Sequence, residues 1–315
     1  MIWWSNYSIV TGAANTMNER NNAENKQLLS KQASGDTMAP PRVRSKSLHR
    51  RYKDETRTLT NLAMSLPGRP TSDDIHDLRV AARRTQVIRN LLPRDFRESQ
   101  VSHNFDLALK SALKSTSQLR DLDTLTDTLR SHTTNLPPEL LVNLGNQRSD
   151  LAARARTACA VITGTPVPDF DSSGIRGKKL SRRLKKRAKK RERAASQLLA
   201  EVLNDESKVE ELHALRKEVK KLRYLLELAD GGSDKLPKLT KWQDSLGSIH
   251  DLDVAVSYIE KSHFDSKQAA IRELRRVRHE RYLEFVRDYK TDLMRVLGDD
   301  ERLPFVTPSD SAVTV

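Results

Sequence analysis

The chain has 315 residues, 37% of them hydrophobic and 31% charged, and a formal net charge of +14. That balance makes an anionic partner the first expectation, while eleven glycines and only 5% aromatic residues argue against a sheet protein. Cys159 is the only cysteine, which excludes an intrachain disulfide or a cysteine metal cluster and fits a reducing cytoplasm.

Residues 1–41 read as a disordered tail. The apolar start Met1-Ile2-Trp3-Trp4 is far short of a membrane span and has no basic residues before it, as a signal peptide would. Asn, Gln, Glu, Lys and Ser then dominate, and Met17 and Met38 offer alternative starts. A first helix is predicted over residues 43–65, carrying Arg44, Lys46, Arg50, Arg51, Lys53 and Arg57. Thr71-Ser72-Asp73-Asp74 is a capping-box start for a second helix that stops at Leu92-Pro93. A third is expected over 95–116, leading into the hexad Gln118-Leu119-Arg120-Asp121-Leu122-Asp123. After Pro137-Pro138 a helix runs to Ile162, with Cys159 on its apolar run as a core residue.

Residues 163–174, rich in Gly, Pro, Ser and Thr, are the candidate linker. Twelve of the eighteen residues from Arg176 to Arg193 are Lys or Arg, yet Leu180 and Leu184 give that helix an apolar seam. Asp205-Glu206 opens a further helix ending at Gly231-Gly232. A short helix around Leu239, Trp242 and Leu246, another over 251–259 and a long one over 268–297 complete the pattern. Residues 301–315 read as a C-terminal tail.

Two of these helices are copies of one another. Ile75-His76-Asp77-Leu78-Arg79-Val80-Ala81-Ala82-Arg83-Arg84 aligns without a gap with Leu212-His213-Ala214-Leu215-Arg216-Lys217-Glu218-Val219-Lys220-Lys221. At about 100° per residue, His76, Arg79, Arg83 and Gln86 share one face of the first, and His213, Arg216, Lys220 and Arg223 one face of the second. Leu78, Ala81, Ala82, Ile88 and Leu92, with Leu215, Val219, Leu222, Leu225 and Leu226, form the opposite, core-facing stripes. The hexad is echoed at Ser248-Ile249-His250-Asp251-Leu252-Asp253, so half a molecule repeats. The expected architecture is all-α, with half one at 42–162, the linker at 163–174 and half two at 175–300, each half a four-helix bundle.

A stripe at i, i+3, i+7 and i+10 spans ~15 Å of helix, long enough to meet several successive anionic groups. Arginine supplies a planar fork for phosphate, lysine a mobile point charge, and the matched histidines would respond to pH near neutrality. Binding residues expected from this pattern are His76, Arg79, Arg83, Arg84, His213, Arg216, Lys217, Lys220, Lys221 and Arg223, with Arg50, Arg57, Arg89, Arg120, Lys179, Arg183 and Lys186 as further contributors. Tyr224 is the sole aromatic within either motif helix, and single-strand binding normally adds stacking platforms. The shortage favours a polyanion without bases, inorganic polyphosphate, while RNA or DNA bound through its backbone stays open as a competitor.

With those motifs in order, the chain resembles the CHAD domain, the conserved histidine α-helical domain, over about residues 42–300. The resemblance implies two four-helix halves related by approximate twofold symmetry, a basic channel that binds inorganic polyphosphate, and association with polyphosphate granules in some members. Gln86 departs from the pattern where a basic residue is usual, so the first stripe is expected to be the weaker, and Thr85 replaces an expected Leu. No catalytic residue, cofactor, metal or membrane partner is expected. Neither His76 nor His213 has a His, Cys or carboxylate at i+4, and there is no P-loop glycine motif or nucleophile elbow. Asp121, Asp123, Asp251 and Asp253 read as structural partners of nearby Arg or Lys, because residues two apart on a helix cannot face one target. A metal-assisted phosphohydrolase is the remaining enzyme alternative.

Overall fold

The computed structural model describes residues 42–297 except 135, 174, 231 and 232, with side chains as far as Tyr289. The two expected tails lie outside those residues, as do Gly231 and Gly232, and the helix expected to end at that pair stops earlier, at Leu226. The described residues as far as Tyr282 form one compact unit, and those from Leu283 on belong to another.

Among the described residues every regular element is a helix: α1 (Ser45–Met64), α2 (Ser72–Leu91), α3 (Arg94–Glu98), α4 (Gln100–His132), α5 (Pro138–Thr163), α6 (Gly177–Val202), α7 (Val209–Leu226), α8 (Leu236–Lys261) and α9 (Lys267–Leu297). The all-α expectation holds. The start of α2 is set by the predicted box: Asp74 N donates to Thr71 Oγ1 at 3.1 Å and Thr71 N to Asp74 Oδ2 at 2.7 Å. At α7 the prediction was early. Asp205 is spent on a turn, accepting from Ser207 N at 2.9 Å, and the helix begins at Val209.

Two further expectations change. The segment expected as one helix over 95–116 is the short α3 and then α4, because Ser99 leaves the helical region and recaps the chain, accepting from Ser102 N. The hexad therefore lies in the middle of a 33-residue helix rather than at its own start. The two short helices expected around 239–246 and 251–259 are the single helix α8, which runs through Gly247 and Ser248 without a break. Within it, a Cβ on Gly247 would stand 3.9 Å from Arg216 Nε, an ordinary contact, so the glycine sits directly against the arginine of α7.

α4 packs on α5, α7 on both α6 and α8, and α1 on α2; α4 also meets α8, and α2 touches α6 and α7. One core joins α1, α2, α4 and α5 around Leu59, Leu78, Phe105, Leu109, Cys159 and Ile162. Burial there raises the Cys159 thiol to about 11, so it packs as a small apolar group. A second core sets Leu48, Tyr52, Ile88 and Leu91 against Leu180, Leu184 and Leu225. A third sets Leu122, Leu125, Leu129 and Leu144 against Leu252, Ile259, Ile271 and Leu274. Both join residues from either side of 163–174. That segment is itself docked: Phe170 is buried against the rings of His49, Tyr52 and Phe96, and Asp169 accepts from His49 Nε2 at 2.9 Å.

The second aspartate of each hexad anchors a matched clamp. Arg148 Nε donates to Asp123 at 2.7 Å and its Nη2 to the Pro70 carbonyl at 2.7 Å, just ahead of α2. Arg278 Nε donates to Asp253 at 2.8 Å and its Nη2 to the Glu206 carbonyl at 2.7 Å, just ahead of α7. The structural role expected for Asp123 and Asp253 is the one they fill.

Candidate functional site

The two motif helices present their stripes to one cleft of about 1430 Å³. From α2 come His76, Arg79, Arg83 and Gln86; from α7, His213, Arg216, Lys217, Lys220 and Lys221. α4 adds Ser117, Arg120 and Asp121, and α8 adds Gln243, Gly247, His250 and Asp251. A further wall comes from α6 through Arg187, Lys190 and Arg191.

Most of these cations are held without being neutralised. Arg79 donates to the Leu113 carbonyl at 3.0 Å and to Thr116 Oγ1 and Ser117 Oγ at 3.3 Å, all uncharged acceptors that fix its guanidinium, while Asp121 attracts it without forming an ion pair. Arg83 donates to Gln86 Oε1 at 3.0 Å. The Nε of Arg216 is buried and has no hydrogen-bond partner among the described residues. Lys220 suffers most: burial, then Arg216, Arg79, Arg83 and Arg223, push its ammonium down to about 8. Burial and Arg83 also lower Arg79, which nonetheless stays charged. Mutual repulsion of this kind is relieved by an anion.

Three carboxylates temper the field, Asp121 through its attraction for Arg79. Asp251 is raised to about 6 because its burial outweighs the attraction of Arg216 and Arg120. Glu218 pairs with Arg191 at 3.0 Å and Lys221 at 2.7 Å, tying α6 to α7. His213 Nδ1 lies 2.9 Å from His250 Nδ1, a contact in which one ring must donate and the other accept. Burial, then Arg216, holds His250 at about 4; burial, then Lys217 and Arg216, lowers His213. The His213 response expected near neutrality is therefore displaced toward acid.

The family model of the CHAD domain matches residues 56–260, more than half of the chain. The chain belongs to the CHAD domain family. A crystal structure of the CHAD domain from the plant Ricinus communis superposes with a TM-score of 0.52 at 16% identity, covering 83% of this chain and 93% of that one, a likeness of fold. Comparison with curated proteins gave no match.

Not all the residues expected to bind lie on the cleft of this CHAD chain. Arg84 lies outside its lining, pairing with Glu227 at 3.4 Å and Glu55 at 3.7 Å. Arg223 is also outside, bonded to Glu227 at 2.5 Å and Gln243 at 2.9 Å with its guanidinium 4.7 Å over the Tyr224 ring. Glu227 thus bridges the two motif helices. Gln86, expected to weaken the first stripe, lines the cleft and orients Arg83, whereas Arg223, its counterpart, is neutralised. Of the further contributors, Arg120 lines the cleft and bonds Ser72. Arg89 is buried away from it, bonded to Asp106 and to the Ser102 carbonyl at 2.8 Å. Arg50, Lys179 and Lys186 are exposed outside the lining, Arg57 pairs with Asp54 at 3.2 Å, and Arg183 donates to the Leu91 carbonyl at 3.1 Å.

Reading the sequence missed Arg187, Lys190, Arg191 and His250. From the basic run of α6 the sequence offers Lys179, Arg183 and Lys186, whereas Arg187, Lys190 and Arg191 are the ones on the lining, and the buried Leu180, Leu184 and Ala188 fix which residues face elsewhere. His250 occupies the place of Arg120 in the hexad alignment, and that substitution was the signal that could have found it. Among the described residues no group of three or more His, Cys, Asp or Glu could hold a metal ion, and no helix is long and apolar enough to cross a membrane.

Proposed function

We propose that this CHAD protein binds inorganic polyphosphate in the cleft between α2, α6 and α7. The observation that carries the reading is the set of cations held there with no carboxylate at ion-pair distance among the described residues: Arg79 on neutral acceptors, Arg83 on Gln86, and Arg216 and Lys220 attracted by the buried Asp251 without pairing to it. An extended chain of phosphates supplies a closely spaced row of oxyanions to such a wall, and charge-assisted bonds of about 1.5–3 kcal/mol each would hold it. Nucleic acid fits less well. The aromatic side chain on the lining, Tyr224, is 7% exposed and has Arg223 over its ring, so it offers no open face for a base. The proposal extends to two related halves at 42–162 and 175–300 sharing one ligand, with the protein cytoplasmic and able to join polyphosphate granules.

Thermal shift with long-chain polyphosphate against equal charge of single-stranded DNA and of RNA tests this. Polyphosphate is expected to stabilise most, and tighter nucleic-acid binding would sink the reading. Arg79→Ala with Arg216→Gln should weaken polyphosphate binding by about 100-fold or more, at up to about 3 kcal/mol per lost contact, whereas Lys178→Gln with Lys179→Gln should change it severalfold at most. Equal losses would mean a diffuse field rather than a site. Phosphate release from polyphosphate or a nucleoside triphosphate with Mg²⁺ or Mn²⁺ separates this reading from the phosphohydrolase alternative.

A further inference from the structure

A second group of cations adjoins the cleft and overlaps its α6 wall, where Arg187 and Arg191 line it, while Arg97 and Arg183 lie outside the lining. Arg183, Arg187 and Arg191 succeed one another at i, i+4 and i+8 along α6, so their side chains are neighbours on one face. Arg191 is neutralised by Glu218. Arg183 is aimed at the end of α2 by its bond to the Leu91 carbonyl at 3.1 Å, an uncharged acceptor. The same end is where α3 begins, and Phe96 packs against the core that holds Leu180 and Leu184. Arg97, the next residue, has a buried Nε with no hydrogen-bond partner among the described residues. The nearest acid on its own helix turn, Glu98, is taken by Arg94 at 2.6 Å.

Arg187 belongs to both places. It lines the cleft, and its charge is disfavoured by burial first and then by Arg97, Arg183 and Arg191, with no carboxylate relieving it. Three half-buried arginines on neutral or absent acceptors are costly unless an anion joins them, and their planar forks suit a tetrahedral oxyanion.

We infer that Arg97, Arg183 and Arg187 form a second anion subsite that takes one compact phosphate, either free orthophosphate or the terminal phosphate of a chain lying in the cleft. The terminal group of a polyphosphate has one more ionisable oxygen than the internal ones, so a subsite closed by three arginines favours it. The subsite depends on the cleft reading only for the chain it would terminate. Because Arg187 belongs to both the lining and the subsite, the subsite is a stop for the chain and not a parallel groove.

The experiment compares linear tripolyphosphate with cyclic trimetaphosphate, which has no end, and with orthophosphate alone, by calorimetric titration of the full chain and of Arg97→Gln. Loss of one charge-assisted contact predicts about a tenfold weaker linear ligand and weaker orthophosphate, with the cyclic ligand within about twofold of wild type. Arg187→Gln serves as a second variant and should lower all three, since it lines both places. Equal losses of linear and cyclic ligands in Arg97→Gln, or no loss in either, overturn the subsite. If orthophosphate binding depends on Arg97 while no chain binds the wild type, the subsite stands and the polyphosphate reading falls. If chains bind the wild type with no dependence on their ends, the reverse holds.

Discussion

At the scale of single residues, Lys220 shows what the cleft costs the empty protein. Its ammonium sits near 8, below the ordinary lysine value, so between those two values the unfolded chain binds more protons than the folded one. Stability of the ligand-free protein should therefore rise as pH climbs from about 8 toward 10, and what Lys220 costs is fully present below 8. Lys220→Met should stabilise the empty fold at pH 7 by on the order of 2 kcal/mol and lose that advantage by pH 10, in urea melts at both pH values. The same change should weaken polyphosphate binding at pH 7 and flatten its decline toward pH 9, because a bound anion restores the proton that Lys220 otherwise sheds. A variant that is neither more stable nor weaker in binding would remove Lys220 from the site. Sequence spacing was enough to put His76, Arg79, Arg83, His213, Arg216 and Lys220 on one side of their helices. It could not show that Arg223, on the same face, and Arg84, beside it, are neutralised, since what pairs with both is Glu227, beyond the copied motif, joined at Arg84 by Glu55 from α1. Thr85, noted as too polar for its place, is fully buried with a hydroxyl that has no partner among the described residues.

At the scale of elements, the clamps tie the approach to each motif helix to the helix that carries its hexad. Arg278 holds Asp253 inside α8 and the Glu206 carbonyl ahead of α7, as Arg148 holds Asp123 and the Pro70 carbonyl ahead of α2. Removing one partner strands a buried charge, so Asp253→Ala should cost about 3–5 kcal/mol, read from the urea midpoint. Asp253→Leu with Arg278→Met should recover a large part of that loss, and a single variant costing under 1 kcal/mol would show the pair is solvated. Aspartates two residues apart were legible as having different targets. Their positions in the middle of long helices were not, since Gly247 and Ser248 read as a break and nothing local shows that packing against α7 carries α8 through them. Conversely, Ser99 ended a helix whose apolar periodicity runs on.

At the scale of the molecule, the duplication visible in the sequence does not make two separable pieces. Leu122, Leu125 and Leu129 share a core with Leu252, Ile259 and Leu274, and Tyr52 and Ile88 share one with Leu180 and Leu184. Coexpressed fragments ending at 162 and beginning at 175 should associate and unfold in one transition, while either alone should expose those surfaces and aggregate. A fragment that is folded and monomeric by itself would refute this. Periodicity revealed which faces are apolar; pairing them needed contacts made across more than 100 residues. Glu227 adds a kinetic consequence. By holding Arg84 of α2 and Arg223 of α7 at once, while its carbonyl accepts from Arg51 of α1 at 2.5 Å, it sets the gap between the basic walls before any ligand arrives. A preset gap needs no closing step, so capture of a polyanion should run at an encounter rate governed by the protein's field and fall steeply with ionic strength, leaving selectivity to the rate of escape.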